Sequence, residues 1–299
     1  MTSPENVVDP APRGVARVGR MSEPFVRLVD DPHLVGPGAR AWLESQGVHT
    51  NVAATILAGE LAGPRRYDDQ SWALVEDAGE LVGVAVQTAP HDALVPPIGA
   101  TAAAAVAQAW HAVGRPLPGV VGNDDSGGAF ARRWSDLTGA SAEATLREGV
   151  HVLGTFVPAD GVPGSGRTAT PADLDAVLAW LTAFVEEALP GHPDPTRDEV
   201  LGRIRHGRHL LWEAGGVPVS LAVFHDPVGG LGRIGPVYTP PEHRGRGYAA
   251  AVTTLASRRV LDAGARPMLH TDLANPTSNG VYARLGFEQV GELTRWAFR

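Results

Sequence analysis

Leu174, Val177, Leu178, Leu181, Phe184 and Val185 recur at the three- and four-residue steps of an α-helix with one apolar face. The run opens on Thr170-Pro171-Ala172-Asp173, a capping box with proline at the first helical position, so the pattern predicts a helix over about 171–188. Thr196 and Glu199 make a second box ahead of Val200, Leu201 and Ile204, and Gly207 ends that helix. Strand-like runs follow at 209–213 and 217–224, joined by Gly215-Gly216 in the manner of a hairpin. A third strand is expected at about 232–238. A helix over 247–263 comes next, with Val252, Leu255, Ala256 and Val260 on its buried face and Gly264 as its stop. A strand at 268–273, a short helix at 276–284 and a β segment at 287–298 complete the order. This is an α+β pattern, and the long helix between two strands forces one parallel step.

The first half of the chain echoes the second. Glu76-Asp77-Ala78-Gly79-Glu80-Leu81-Val82-Gly83-Val84-Ala85 matches the pattern of Glu213-Ala214-Gly215-Gly216-Val217-Pro218-Val219-Ser220-Leu221-Ala222 without a gap. Further on, the segment from Trp134 to Gly139 takes the place held by Tyr282 to Phe287. Self-similarity at so long a period points to duplicated domains rather than to a solenoid. The stretch containing Pro158, Gly161, Pro163, Gly164 and Gly166 has linker composition. The resulting division is a disordered tail over 1–20, a first domain over 21–157, a linker over 158–166 and a second domain over 167–299.

Length and composition narrow the function classes. A chain of 299 residues has room for two cores of ordinary size. The net charge of −8 gives nucleic acid no electrostatic reason to bind. With no cysteine there is no disulfide, no thiolate zinc site and no thiol nucleophile. The histidines show no ligand spacing, so no metal is expected. Residues 1–20 have neither the apolar core of a signal peptide nor the acid-poor composition of a transit peptide, and no run is long and apolar enough to span a membrane. These readings point to a cytoplasmic protein, monomeric or homodimeric, without membrane or nucleic-acid partners.

The chemistry gathers in the second domain. Arg244-Gly245-Arg246-Gly247-Tyr248-Ala249 lies between an expected strand and an expected helix. There glycines permit a tight turn, several backbone N–H groups converge and the helix dipole favours an anion such as a diphosphate. Upstream, Gly235-Pro236-Val237-Tyr238-Thr239-Pro240-Pro241 must leave the sheet, because proline cannot donate to a ladder, and nearby amides become available to a ligand. Downstream, Asn275 and Tyr282 stand two helical turns apart and share a face. Duller roles exist for each: a sheet-packed aromatic for Tyr282, a helix cap for Asn275, a solvated charge for Arg244.

Arg244, Gly247 and Ala249, followed by Asn275, Ser278, Tyr282 and Leu285-Gly286-Phe287, make the second half resemble the GNAT superfamily of N-acetyltransferases, over about 163–299. The resemblance implies two tandem GNAT-like domains, each a mixed, mostly antiparallel sheet flanked by helices, with the second one catalytic. It implies acetyl-CoA as co-substrate, with its diphosphate on the amides of Gly245, Arg246, Gly247, Tyr248, Ala249 and Ala250 and beside the cofactor-binding Arg244 side chain, and its pantetheine arm along Val237, Tyr238 and Thr239. Asn275, Ser278 and Asn279 would lie beside the same arm. Tyr282 would protonate the departing thiolate, a reasonable task for a phenol beside a thiol. The acceptor implied is an amine-bearing molecule or protein, with direct transfer and no acetyl-enzyme. Glu186, Glu187, Glu213, His225 and Asp272 are candidates for the base that takes the ammonium proton, and a water chain is an alternative. A transferase of another acyl-CoA and a non-catalytic acyl-CoA sensor or scaffold are the competing readings.

The first half resembles a degenerate copy of the same fold. Pro96-Pro97-Ile98-Gly99-Ala100-Thr101 lacks the diphosphate-loop pattern, and Trp134, whose indole is no acid, stands where Tyr282 does in the other copy. It is expected to bind no CoA and to serve packing or acceptor recognition.

Overall fold

One order of elements, strand, two helices, three strands, helix, strand, helix and strand, occurs twice among the described residues, which are 9–10, 15–18, 24–63 and 66–299 of this computed structural model. After two short strands, β1 (Asp9–Pro10) and β2 (Val15–Val18), the first copy comprises β3 (Phe25–Val29), α1 (Gly36–Ser45), α2 (Asn51–Ala62), β4 (Gln70–Asp77), β5 (Glu80–Thr88), β6 (Ala93–Val95), α3 (Ala100–Ala112), β7 (Gly119–Gly122), α4 (Ser126–Thr138) and β8 (Ala142–Leu153). The second comprises β9 (Ser165–Thr168), α5 (Leu174–Ala188), α6 (Arg197–Arg205), β10 (His209–Ala214), β11 (Val217–Phe224), β12 (Leu231–Tyr238), α7 (Tyr248–Asp262), β13 (Arg266–Asp272), α8 (Pro276–Arg284) and β14 (Phe287–Phe298).

The two copies share details as well as order. The ladder of β4 and β5 slips between Val75 and Glu76, and that of β10 and β11 slips between Trp212 and Glu213, the two positions that the sequence echo superposes. Both hairpins turn through two positive-φ residues, Ala78-Gly79 and Gly215-Gly216. In each copy the third strand of the meander pairs in parallel with the strand beyond the long helix: β6 with β7, β12 with β13. The α+β class with one parallel step is therefore the observed one.

The chain forms two compact units whose boundaries differ from those the sequence suggested. The first contains residues up to 148 and also Glu292–Arg299, so the last strand ends in it: Thr294–Ala297 pair antiparallel with Gly119–Gly122 of β7. Asp92, almost fully buried, receives Arg295 at 2.5 Å, and Thr294 bonds Asp124 at 2.9 Å. The second unit starts at Gly149, within β8. The domain expected over 167–299 is thus corrected at both ends, because ion pairs and a ladder formed with distant residues claim the C-terminal octet.

The linker expected over 158–166 is also partly strand: Ser165–Thr168 pair with Leu210–Glu213. Gly166 is required there, since a Cβ would lie 2.4 Å from Leu255 on α7, and Arg167 is held by Asp173 and Glu213. Of the tail expected over 1–20, residues 1–8, 11–14 and 19–20 lie outside the described residues, while Val15–Val18 pair with β3.

In the second unit the strand order is β8, β13, β12, β11, β10, β9. One face is covered by α7, whose Val252, Ala256 and Val260 pack on Leu210, Ala222, Ile234 and Leu269. Each fully buried valine, leucine or isoleucine among them is worth roughly 1.5–3 kcal/mol in area terms. The other face is covered by α5 and α6, which bring Leu174, Val177, Leu181, Val200 and Ile204 against Leu211, Leu221 and Val223. Both helices start as their capping boxes predict: Asp173 accepts from the Thr170 amide, and Thr196 and Glu199 cap each other reciprocally. Helix α7 lies so close to β12 that a Cβ on Gly232 would stand 2.5 Å from Val260, which is why glycine interrupts the strand there.

Candidate functional site

Strands β12 and β13 run side by side only at their beginnings. Leu231, Gly232 and Arg233 pair with Arg266, Pro267 and Met268, after which no register partner joins the two, although β12 continues to Tyr238 and β13 to Asp272. On its other edge β12 keeps company with β11 as far as Val237 and Tyr238, which face Ala222 and Leu221. The β13-facing edge of Ile234–Tyr238 is therefore a strand edge without a ladder partner inside the sheet, with backbone groups left to other partners.

The chain then turns through Pro240-Pro241 and a short 3-10 turn into the loop before α7. Gly245 and Gly247 adopt positive φ of 75° and 82°, conformations that put consecutive amides on one side and that side chains with a Cβ resist. The first hydrogen bond into the helix runs from the Ala251 amide to Gly247 at 3.0 Å. The amides of Gly245, Arg246, Gly247, Tyr248, Ala249 and Ala250 precede it, and none of them has an acceptor among the described residues. Six free donors at the positive end of a 15-residue helix form an anion cradle. Residues 244–247 are exposed.

A group of side chains braces the end of β12. Ser220, buried on β11, bonds the Tyr238 carbonyl at 3.1 Å and the Thr239 hydroxyl at 2.8 Å. Arg244 donates Nε to the Thr239 carbonyl at 2.9 Å and Nη2 to Glu187 at 2.6 Å, and Tyr238 donates its hydroxyl to the other Glu187 oxygen at 2.8 Å. Burial alone would raise the Glu187 carboxyl, but the Tyr238 hydroxyl and the Arg244 guanidinium outweigh it and hold the group below the ordinary carboxylate range. Burial, followed by the bond to Glu187, raises the Tyr238 phenol.

Beyond β13, Asn275 caps α8 by accepting from the Ser278 amide at 3.1 Å, so its side chain has the capping role that was the alternative to ligand binding. Asn279 donates to the carbonyls of Asp272 and Leu273, and its own carbonyl oxygen is buried without a partner. Tyr282 packs edge-on to Phe287 within the α7-side core, and its hydroxyl has no hydrogen-bond partner among the described residues. Burial pushes its pKa up to about 12, so the phenol keeps its proton throughout the physiological range.

The candidate bases separate. Glu213 is bonded to Arg167 and Glu187 to Arg244, so both are committed carboxylates. Burial and the nearby Arg233 and Arg203 charges hold His225 far below the ordinary imidazole value, and its Nε2 lies 3.3 Å from the Gly235 carbonyl. Asp272 accepts from the Ala274 amide in the turn after β13, and Glu186 is exposed on α5. Sequence reasoning passed over Ser220, although a serine inside the apolar run from Val219 to Phe224 was its visible signal.

The corresponding place in the first unit is closed by its own residues. β6 and β7 stay paired to their ends, Val95 facing Gly122, so no open edge arises. The amides of Ile98 and Gly99, just before α3, both donate to the Ser126 hydroxyl at 3.0 Å, and Ser126 is fully buried. Asn123 caps α4 through Ser126 as Asn275 caps α8 through Ser278. Counted from those caps, Phe130 rather than Trp134 occupies the place of Tyr282; the two aromatic rings stack 6.1 Å apart in the first core. The register suggested by the sequence missed this because α4 is longer than α8.

Comparison with known proteins fits this geometry. The family model described as FR47-like protein matches residues 222–297, which contain the open edge, the cradle and Tyr282. Several solved structures share the fold over nearly the whole chain. A Drosophila protein is 14% identical, covering 91% of this chain and 97% of its own, with a TM-score of 0.61. A tandem GNAT protein from the clavulanic acid biosynthesis pathway is 15% identical, with coverage of 91% and 97% and a TM-score of 0.56. A GCN5-related N-acetyltransferase from Sphaerobacter thermophilus is 16% identical, with coverage of 91% and 94% and a TM-score of 0.55. None of the curated proteins matches the sequence. At these identities the solved structures establish the fold: two tandem GNAT-like domains.

Proposed function

We propose, for this tandem GNAT-fold chain with an FR47-like segment, that the second unit transfers the acetyl group of acetyl-CoA directly to the amine of an acceptor molecule or protein. The observation that carries the reading is the coincidence of an open strand edge on Ile234–Tyr238 with six unbonded amides at the start of α7, because a diphosphate joined to an amide-bearing arm needs both features side by side. The residues suit that group. Gly245 to Ala250 offer N–H donors to the diphosphate, exposed Arg246 adds positive charge, and Val237 to Thr239 offer strand-like bonds to the arm.

Acetyl-CoA, when bound, supplies an activated thioester. This chain's own groups do the rest. An amide of the open edge can polarise a carbonyl by donating to its oxygen. Tyr282 holds a proton on its phenolic oxygen at every physiological pH and can present it to a departing sulfur. The first unit, where Ser126 takes the Ile98 and Gly99 amides ahead of α3 and the strand edge is closed, supports a single functional copy. No helix among the described residues is long and apolar enough to cross a membrane.

Two measurements on the pure protein test the reading. Titration calorimetry should give one CoA site per chain, and thiol release from acetyl-CoA should depend on an added amine from a pooled library. Absence of any heat with CoA would refute it, and CoA binding without amine-dependent thiol release would assign the chain to acyl-CoA sensing instead.

A further inference from the structure

We infer that Glu187, Tyr238 and Arg244 form a brace that sets the open end of β12 and the loop before α7, so that Arg244 positions the acyl-CoA cradle and leaves the diphosphate to the backbone amides. This assignment rests on the proposed function, and it changes the role expected of the first residue of the loop motif from ligand to support.

Three elements meet in the brace. Glu187 comes from the last turn of α5, Tyr238 from the end of β12, and Arg244 from the turn leading into the cradle. One carboxylate receives the Tyr238 hydroxyl on one oxygen and the Arg244 guanidinium on the other, at 2.8 and 2.6 Å. The same guanidinium reaches back to the Thr239 carbonyl at 2.9 Å and lies 5.6 Å from the centre of the Tyr238 ring. The Tyr238 and Thr239 residues held this way are the ones expected to bond the pantetheine arm, and Ser220 fixes them from β11.

The chemistry of the group decides between the two roles. Its ion pair is nearly half exposed, 47% on Arg244 and 45% on Glu187, so as a source of stability alone it is worth little. What it provides is direction. A guanidinium is a rigid planar fork, and here its Nε and Nη2 donors are held by a carbonyl and a carboxylate of two different elements. The pair is also electrically neutral, so it adds little attraction for a diphosphate, whereas Arg246 in the same loop is exposed and forms no ion pair among the described residues. Glu187 accordingly serves as a positioning residue and not as the base that takes the ammonium proton.

The test compares acetyl-CoA with S-acetylpantetheine, which carries the arm without the diphosphate, in the full chain. Arg244→Met, Arg244→Lys and Glu187→Gln should each lower kcat/KM about tenfold or more with both donors and by similar factors, since a misplaced arm is common to both. Lysine should fail to rescue because a point charge cannot replace the fork. Arg246→Ala should weaken acetyl-CoA alone, through KM. Hydrogen exchange of the free protein gives the second readout: segment 237–244, whose His243 and Arg244 amides bond Pro240 and Pro241, should exchange faster in Arg244→Met and Glu187→Gln.

Loss with acetyl-CoA but not with S-acetylpantetheine in Arg244→Met, or full rescue by lysine, would make Arg244 a phosphate ligand and overturn the inference. Unchanged exchange together with unchanged kinetics in Glu187→Gln would overturn it as well. If the wild-type chain turned over neither donor, the functional reading would fail, and the exchange result alone would decide the brace: faster exchange sustains it, unchanged exchange removes it.

Discussion

Replacing Tyr282 by phenylalanine removes one oxygen that no protein group bonds, from a ring that keeps its contact with Phe287. The fold should therefore lose less than about 1 kcal/mol, because no buried partner is left unsatisfied. The expected effect lies in turnover, and its size follows from the site. Burial pushes the phenol up to about 12, whereas a thiol leaves with a pKa near 8.5. Complete proton transfer to the sulfur would thus run uphill by roughly 3.5 pKa units, about 5 kcal/mol. Under the proposed function the group would act instead as a charge-assisted donor to a developing thiolate, a bond worth about 1.5–3 kcal/mol, which predicts a loss of roughly ten- to 150-fold in kcat. CoA affinity should stay within about twofold, since the hydroxyl stabilises charge that exists only during reaction. The assay is thiol release under saturating acetyl-CoA and amine, paired with calorimetry on both proteins. A phenol near 12 also predicts no loss of rate from its ionisation below about pH 10 in the wild type. Unchanged kcat in the variant would remove Tyr282 from the chemistry. A basic limb below pH 10 that disappears in the variant would refute the burial argument.

Three further outcomes follow from other parts of the molecule. Gly247→Asp should abolish CoA binding by calorimetry, because it forces a side chain onto a φ of 82°, 3.2 Å from Val162, and sets a negative charge against the diphosphate; retained affinity would move the cradle elsewhere. Ser126→Ala should destabilise the protein by about 1–3 kcal/mol in urea melts while leaving CoA affinity untouched, because the Ile98 and Gly99 amides lose their acceptor in the first unit only; weaker CoA binding would implicate that unit. His209 is fully buried and its pKa is lowered to about 4 by burial and by Arg203, so the unfolded chain binds its proton first and stability falls as pH drops from about 6.5 through 4. Its share, at 1.36 kcal/mol per unit, reaches about 3 kcal/mol. His209→Gln should flatten that part of the stability curve, and an unchanged slope would show the imidazole to be charged or solvated in the fold.

Much of this molecule is local and therefore legible along the chain. Helix α8 and strand β14 have the bounds expected of them, and α7 differs by one residue at each end, because Asn275, Pro276, Gly247 and Gly264 act within a turn of their own positions. The hairpin echo was legible too, though the ladder slip that the two copies share at Glu76 and Glu213 was not part of that reading. Strand β9 was not legible: Ser165-Gly166-Arg167-Thr168 has no apolar alternation, and it becomes a strand because Leu255 and Trp212 leave room only for a glycine and Asp173 and Glu213 hold its arginine. Nor was the brace, whose partners stand 51 and 57 residues apart.

By itself, then, the sequence determined the succession of elements, their caps and turns, and the loop whose glycines free six amides, since each of these depends on backbone preferences a few residues wide. Only the tertiary structure decided where β12 leaves β13, that Ser126 closes the equivalent place in the first unit, that Glu292–Arg299 complete that unit's sheet, and that Arg244 faces Glu187. A period of two assigns side chains to a face but names no neighbouring strand. Pairing across long separations is settled by packing and charge in the assembled fold, and the opening on which the proposed chemistry depends is a property of that assembly.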